Sequence, residues 1–176
     1  MLSDARIKAV EEKISQIQKN KMSIVYCPGS HAYFAHKPFP LKEVLDKGIN
    51  VAIGTDSITS NETLDFLYEL KLIRKNHPHL SKEAVLTLAT INGAKALKME
   101  KNIGSIEAGK KADMIGFKLS NANDPLEAVF KAEKADFVMI DGKVIKRNDP
   151  ARISFIKINS SGDRSTRAMA RSLVRR

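Results

Sequence analysis

The segment Ile49-Asn50-Val51-Ala52-Ile53-Gly54-Thr55-Asp56-Ser57 constrains the fold of this chain more than any other. A short run of branched apolar residues is the signature of a strand covered on both faces, the parallel strand of an α/β protein. It ends in a glycine, a hydroxyl and a carboxylate. Asp56 is therefore expected at the C-terminal mouth of the strand, where barrels and open α/β sheets carry their chemistry. A carboxylate there can bind a metal, hold a nucleophilic water or accept its proton. It can equally cap the segment that follows, and spacing alone slightly favours the cap.

The flanking pattern supplies a βαβ unit. Residues 3 to about 20 carry Ile7, Val10, Ile14 and Ile17 at helical spacing, with Ser3 or Asp4 as N-cap. Residues 22–27 read as a short buried strand ended by Pro28-Gly29, followed by a long aromatic loop over 30–40. A connection of that length is more often a binding loop than a passive one. Residues 41–47 form a short helix closed by Gly48, and the Asp56 strand follows.

Beyond Asp56 the spacing predicts a helix over about 63–75, with Leu64, Leu67 and Leu70 inward and His77-Pro78-His79 at its end. Ser81 caps the next helix, which Asn92-Gly93 interrupts before it resumes over 94–99. From Gly104 the chain is glycine-punctuated. A strand over 114–117, a turn and short helical or extended piece over 124–130, and a hairpin around Asp141-Gly142 complete it. These textures divide the chain into an α/β portion (1–102), a small β portion (103–148) and a basic tail (149–176) expected to be disordered.

The net charge of +10 raises the question of nucleic acid. Residues 151–176 hold seven Lys or Arg against the single acid Asp163, so +6 belongs to the tail and +4 to the remaining 150 residues. The tail lacks interleaved aromatics, which favours solvated disorder over phosphate contact and makes a nucleic-acid partner the weaker expectation. No apolar run reaches the roughly 18 residues of a membrane span, and the opening residues carry no apolar signal region, so a cytoplasmic location is expected. Cys27 is the sole cysteine, which rules out an internal disulfide.

Other candidate side chains have competing readings. His31 and His36 lie in the aromatic loop beside the mouth, at a spacing better suited to substrate contact than to ligating a metal. His77 and His79 suit a helix end as cations facing the dipole. Cys27 is expected to pack rather than react. Tyr33 and Phe34 either cover the core or stack on a flat substrate.

Three segments taken together resemble the amidohydrolase superfamily, in its metal-dependent deaminase and chlorohydrolase branch. They are Cys27-Pro28-Gly29-Ser30-His31, Gly54-Thr55-Asp56-Ser57 with Ser60-Asn61 after it, and Ala89-Thr90-Ile91-Asn92-Gly93-Ala94-Lys95-Ala96-Leu97. Gly104-Ser105-Ile106-Glu107-Ala108-Gly109-Lys110-Lys111-Ala112-Asp113 is similar to the family's return into its β-sandwich. The resemblance implies the last part of a distorted TIM barrel, strands seven and eight with their helices, followed by part of a small β-sandwich. It places Asp56 as a ligand to one divalent ion, Zn or Fe, and as the proton carrier. His31, where most relatives carry Asn, and Ser60 become candidate contacts for a small-molecule substrate. The loop over 30–40 resembles the aminofutalosine deaminase group.

The family's His-x-His pair after strand one and the histidines after strands five and six have no counterpart here. The resemblance therefore implies a C-terminal fragment, inactive alone, that needs the missing barrel half or self-association. The rival reading is a non-catalytic binding or scaffolding module with an Arg-rich tail that contacts nucleic acid. Salt separates the two: phosphate binding would weaken steeply with salt and vanish on deleting residues 151–176. The hydrolase reading expects no such salt-sensitive binding in an oligonucleotide mobility assay.

Overall fold

The apolar run that ends at Gly54 forms strand β2 (Asn50–Ile53), whose Val51, Ala52 and Ile53 are all buried. The computed structural model describes residues 4–118, 124–147 and 153–154. Strand β1 (Ser23–Tyr26) pairs with β2 in parallel, Ser23 opposite Asn50 and Tyr26 opposite Ile53. Helix α1 (Asp4–Lys19) precedes them, with Ile14 and Ile17 against the core. Helices α2 (Pro28–Tyr33) and α3 (Leu41–Asp46) make the connection that a parallel pair requires. Gly48 lies after α3 with φ +71°, as its C-terminal position predicts.

Helix α2 replaces the first part of the expected aromatic loop. Pro28-Gly29 reads locally as a turn, but proline is equally at home in the first turn of a helix, where its missing N–H costs nothing. Strand β1 is also less covered than its sequence suggests: Tyr26 is buried, whereas Val25 is 57% exposed. Among the described residues β1 and β2 form a sheet of two strands, so each leaves one edge unpaired.

Helix α4 (Phe66–Asn76) begins later than expected because Asp65 caps it, accepting from the Leu67 amide at 3.0 Å. Leu64 consequently falls outside the helix and is 53% exposed, while Leu70 and Ile73 are buried. Ser81 caps α5 (Lys82–Ala89) by accepting from the Ala84 amide at 3.1 Å. The break before α6 (Ile91–Ala96) falls at Thr90, with φ −124° and ψ −92°, so Asn92-Gly93 lies inside the helix instead of interrupting it. Asn92 explains the difference. Its side-chain amide donates to the Val51 carbonyl at 2.9 Å, and its own carbonyl accepts from the Asn50 side chain at 3.0 Å. That pair fastens α6 to β2.

Strands β3 (Met114–Lys118), β4 (Phe137–Ile140) and β5 (Lys143–Arg147) form an antiparallel sheet, with Asp141 and Gly142 both at positive φ in the hairpin turn. Ile153–Ser154 adds a short strand, β6, against Lys118 and Phe117. The tail expected over 149–176 otherwise lies outside the described residues.

Helix α7 (Glu127–Lys131) ties the later chain to the earlier helices. Lys82 of α5 is ion-paired with Asp124 and Glu127, and Lys71 of α4 donates to the Ala132 carbonyl at 2.7 Å. The Arg74 guanidinium lies over the Phe130 ring, 5.4 Å from its centroid. Phe117, Leu126 and Val129 join Val51, Leu70 and Val85 in one apolar cluster. No helix among the described residues is long and apolar enough to cross a membrane.

Ile73 lies fully buried in that cluster. Ile73→Ala should destabilise the fold by about 2–5 kcal/mol, the cost of a lost buried side chain and the cavity it leaves. The measurement is the midpoint of urea unfolding, and an unchanged midpoint would show that the cluster does not hold the molecule together.

Candidate active site

The parallel register sets β1 and β2 to end side by side, with the Gly54 amide donating to the Tyr26 carbonyl at 3.0 Å. The chain then leaves β1 through Cys27 into α2 and leaves β2 through Thr55 and Asp56 into a 3₁₀ turn, Ile58–Ser60. Asp56 adopts φ +59°, a left-handed conformation that Asp tolerates better than most residues. Such backbones recur where a side chain must be aimed.

Two hydroxyls converge on one oxygen of that side chain. Ser60 Oγ donates to Asp56 Oδ2 at 2.7 Å and Ser30 Oγ donates to it at 2.8 Å. The carboxylate is exposed, whereas both serines are buried. The hydrogen bonds from Ser60 and then Ser30 hold the Asp56 carboxyl below its ordinary pKa, because both favour the ionised form. Asp56 lies one residue outside the N-cap position of the 3₁₀ turn that follows it, a position held by Ser57. It stands as an aimed, ionised carboxylate at the strand mouth.

A second polar layer lies beneath it. Glu69 of α4 is fully buried; its Oε2 accepts from the Gly29 amide at 2.8 Å and its Oε1 accepts from Asn61 Nδ2 at 2.6 Å. Asn61 Nδ2 also donates to the Thr55 carbonyl at 2.8 Å. Gly29 is required here by space: a Cβ would sit 2.3 Å from Asn61 Oδ1 and 2.6 Å from Glu69 Oε1.

His31 packs among aromatic rings. Its ring packs edge-on to Tyr26, at 5.7 Å between centroids, and lies 5.2 Å from the His36 ring. Burial, and then His36, push its pKa down, which favours the neutral ring. Ser60, in the turn after β2, meets Asp56 directly, whereas His31 lies in α2 beside Ser30. Among the described residues, no group of three or more His, Cys, Asp or Glu could hold a metal ion.

The aromatic residues of this region divide. Phe39 stacks on Tyr26 at 4.6 Å and packs against the core, while Tyr33 and Phe34 are more than half exposed. His77, expected as a cation at a helix end, is buried, and burial lowers its pKa, so the neutral ring is favoured instead. Cys27 is half-buried, with its thiol pushed up chiefly by that burial, in keeping with packing.

Sequence reasoning missed Ser30, Asn61 and Glu69 as parts of this site. Glu69 carried a usable signal, since it sits four residues before Ile73 on the apolar stripe of α4, where a charge is out of pattern. Ser30 fell within a family-like motif, but nothing local pointed to its bond with Asp56, 26 residues away.

The hydroxyl pair predicts a titration. Ser60→Ala should raise the Asp56 pKa, Ser30→Ala should raise it too, and the double change should bring it close to an ordinary carboxylate. With the folded value depressed, the contribution of Asp56 to stability is present above its unfolded pKa and lost as pH falls through the folded value. Side-chain carboxyl NMR through the acid range measures this, and an Asp56 pKa indifferent to both serines would show that the hydroxyls do not set it.

The sequence matches the amidohydrolase family model over residues 3–145. It is 37% identical to 5-methylthioadenosine/S-adenosylhomocysteine deaminase of Thermoanaerobacter pseudethanolicus, over 78% of this chain and 36% of that one. It is 34% identical to 5'-deoxyadenosine deaminase of Methanobrevibacter smithii, over 77% and 35%. The fold superposes on an adenosine deaminase from Xanthomonas campestris with bound zinc at a TM-score of 0.69 and 30% identity, covering 78% of this chain and 35% of that one. The chain thus spans about a third of the length of the curated relatives it matches. By family model, sequence identity and a shared barrel-like α/β fold, this chain belongs to the amidohydrolase family.

Proposed function

We propose that the chain is the C-terminal part of a metal-dependent deaminase that replaces the amino group of an aminopurine nucleoside by oxygen, with release of ammonia. The single observation that carries this reading is the ionised Asp56 at the strand mouth, held by Ser30 and Ser60. The relatives named as adenosine-type deaminases supply the substrate class, and an aminofutalosine-like nucleoside falls within it.

Asp56 fits as one ligand to a divalent metal, zinc by analogy with the Xanthomonas enzyme, or iron. The described residues do not complete the set, since a catalytic metal takes three or more protein ligands. When bound, such a metal supplies Lewis acidity that makes water nucleophilic near neutral pH. The role of Asp56 is to accept a proton from the attacking water and return it to the departing amine, so that water is consumed and ammonia leaves. Ser30 and Ser60 keep its carboxylate ionised and fix its rotamer. His31, with its ring held toward the neutral form, can donate or accept a hydrogen bond at the substrate. Tyr33 and Phe34 offer exposed faces for a flat ring.

The unpaired edges of β1 and β2 and the exposed Val25 imply that the site is completed only when further strands join this pair, from another polypeptide or from copies of this chain. The isolated chain should associate in size-exclusion chromatography and show no ammonia release with Zn²⁺ or Fe²⁺ added. Fused behind the N-terminal barrel portion of the Thermoanaerobacter relative, it should deaminate 5'-methylthioadenosine. Asp56→Ala should then lower turnover by roughly 10²-fold or more, the scale of a lost proton-transfer group. Full turnover in that variant would refute the reading, and turnover by the isolated chain would show that it assembles a complete site by itself.

A further inference from the structure

Glu69 is the one buried acid among the described residues, and both of its partners are neutral donors. A buried carboxylate without a cation is costly, and an apolar side chain would pack this face of α4 more cheaply. Its contacts explain its presence. Gly29 adjoins Ser30, Asn61 adjoins Ser60, and Thr55, which Asn61 also binds, adjoins Asp56. Every group in the network is one residue from Asp56 or from one of its two hydroxyl donors.

We propose that Glu69 is a positioning residue whose two oxygens fasten the start of helix α2, which follows β1, to the loop after β2, so that Ser30 and Ser60 meet on the same oxygen of Asp56. Its bearing on deamination rests on the proton-carrier reading of Asp56, while the clamp itself stands on the hydrogen bonds alone. The chemistry of the clamp requires an acceptor-only side chain. Asn61 Nδ2 is oriented by two acceptors at once, Thr55 O and Glu69 Oε1, which fixes the amide and leaves Asn61 Oδ1 buried without a partner. Glutamine at position 69 would keep the volume and one acceptor, but its own amide would face the Asn61 amide, donor against donor. The lack of room for a Cβ at residue 29 holds the start of α2 against the same two side chains.

The test is carboxyl and amide NMR of the 176-residue chain at one neutral pH. In the wild type, Ser30→Ala should shift the Asp56 Cγ resonance. In Glu69→Gln, that resonance should already lie close to its position in the doubly substituted Ser30→Ala, Ser60→Ala chain, and adding Ser30→Ala should move it little further. Amide exchange of Val51, Ala52 and Ile53 should be unchanged, which separates positioning from general destabilisation. Adding Asn61→Asp to Glu69→Gln reverses the polarity of the same hydrogen bond: the introduced amide can donate to the introduced carboxylate while its oxygen still accepts from the Gly29 amide, although the bond to the Thr55 carbonyl is lost. Part of the wild-type shift should return.

An Asp56 resonance unmoved by Glu69→Gln would overturn the proposal. So would general loss of β2 protection in both the single and the double variant, since Glu69 would then serve stability alone. The readout is a hydrogen bond at Asp56, not turnover. A failed deaminase assay therefore leaves this test intact, and failure here leaves the role of Asp56 as ligand untouched.

Discussion

The structure depends on the parallel pairing of two short strands. Side chains alternate along a strand, so a slip of one residue would turn β1 over, bringing the exposed Val25 inward and the buried Tyr26 outward. With Tyr26 opposite Ile53, both chains emerge at the same level, and the first polar groups beyond the strands can meet. The 2.8 Å contact from Ser30 to Asp56 is a direct product of that register. Asn92 reinforces it from the helix side by binding the Val51 carbonyl, where a purely apolar helix would leave that acceptor unanswered.

Polar groups of two kinds occupy the mouth, and they do different work. The exposed layer is Asp56 with its two hydroxyls, where water can still reach the carboxylate and the hydrogen bonds set its charge. The buried layer is Glu69 with Asn61 and Gly29, where solvent is excluded and each donor must find its acceptor. A carboxylate at the surface is adjustable chemistry. One in the interior is a fixed strut, because removing either partner leaves a desolvated polar atom behind.

The proposal that further strands complete the site draws on family membership and on the donors at the mouth. A chain spanning about a third of its relatives' length brings one carboxylate to the mouth, and the described residues hold no cluster able to bind a metal by themselves. The open strand edges give the same result in backbone terms, since a two-stranded parallel sheet leaves hydrogen-bonding groups for neighbours to satisfy.

Elements whose causes are local were legible in the order of residues. The apolar run into Gly54 specified β2, Ser81 specified the start of α5, and Asp141-Gly142 specified a hairpin turn, each through chemistry within a few residues. For Asp56 the neighbouring residues placed a carboxylate at the end of a buried strand but left its role open between a cap and a site residue. The remainder was settled by contacts between distant residues. Pro28-Gly29 could open a turn or a helix, and helix α2 placed Ser30 on Asp56. Asn92-Gly93 reads as a break until Asn92 is seen bound to β2. Glu69 stands out of pattern on the apolar stripe of α4, but only the folded chain shows what it binds there, the Gly29 amide 40 residues away. A hydrogen bond between segments that far apart has no periodicity or spacing to announce it, so it became visible only once the chain was folded.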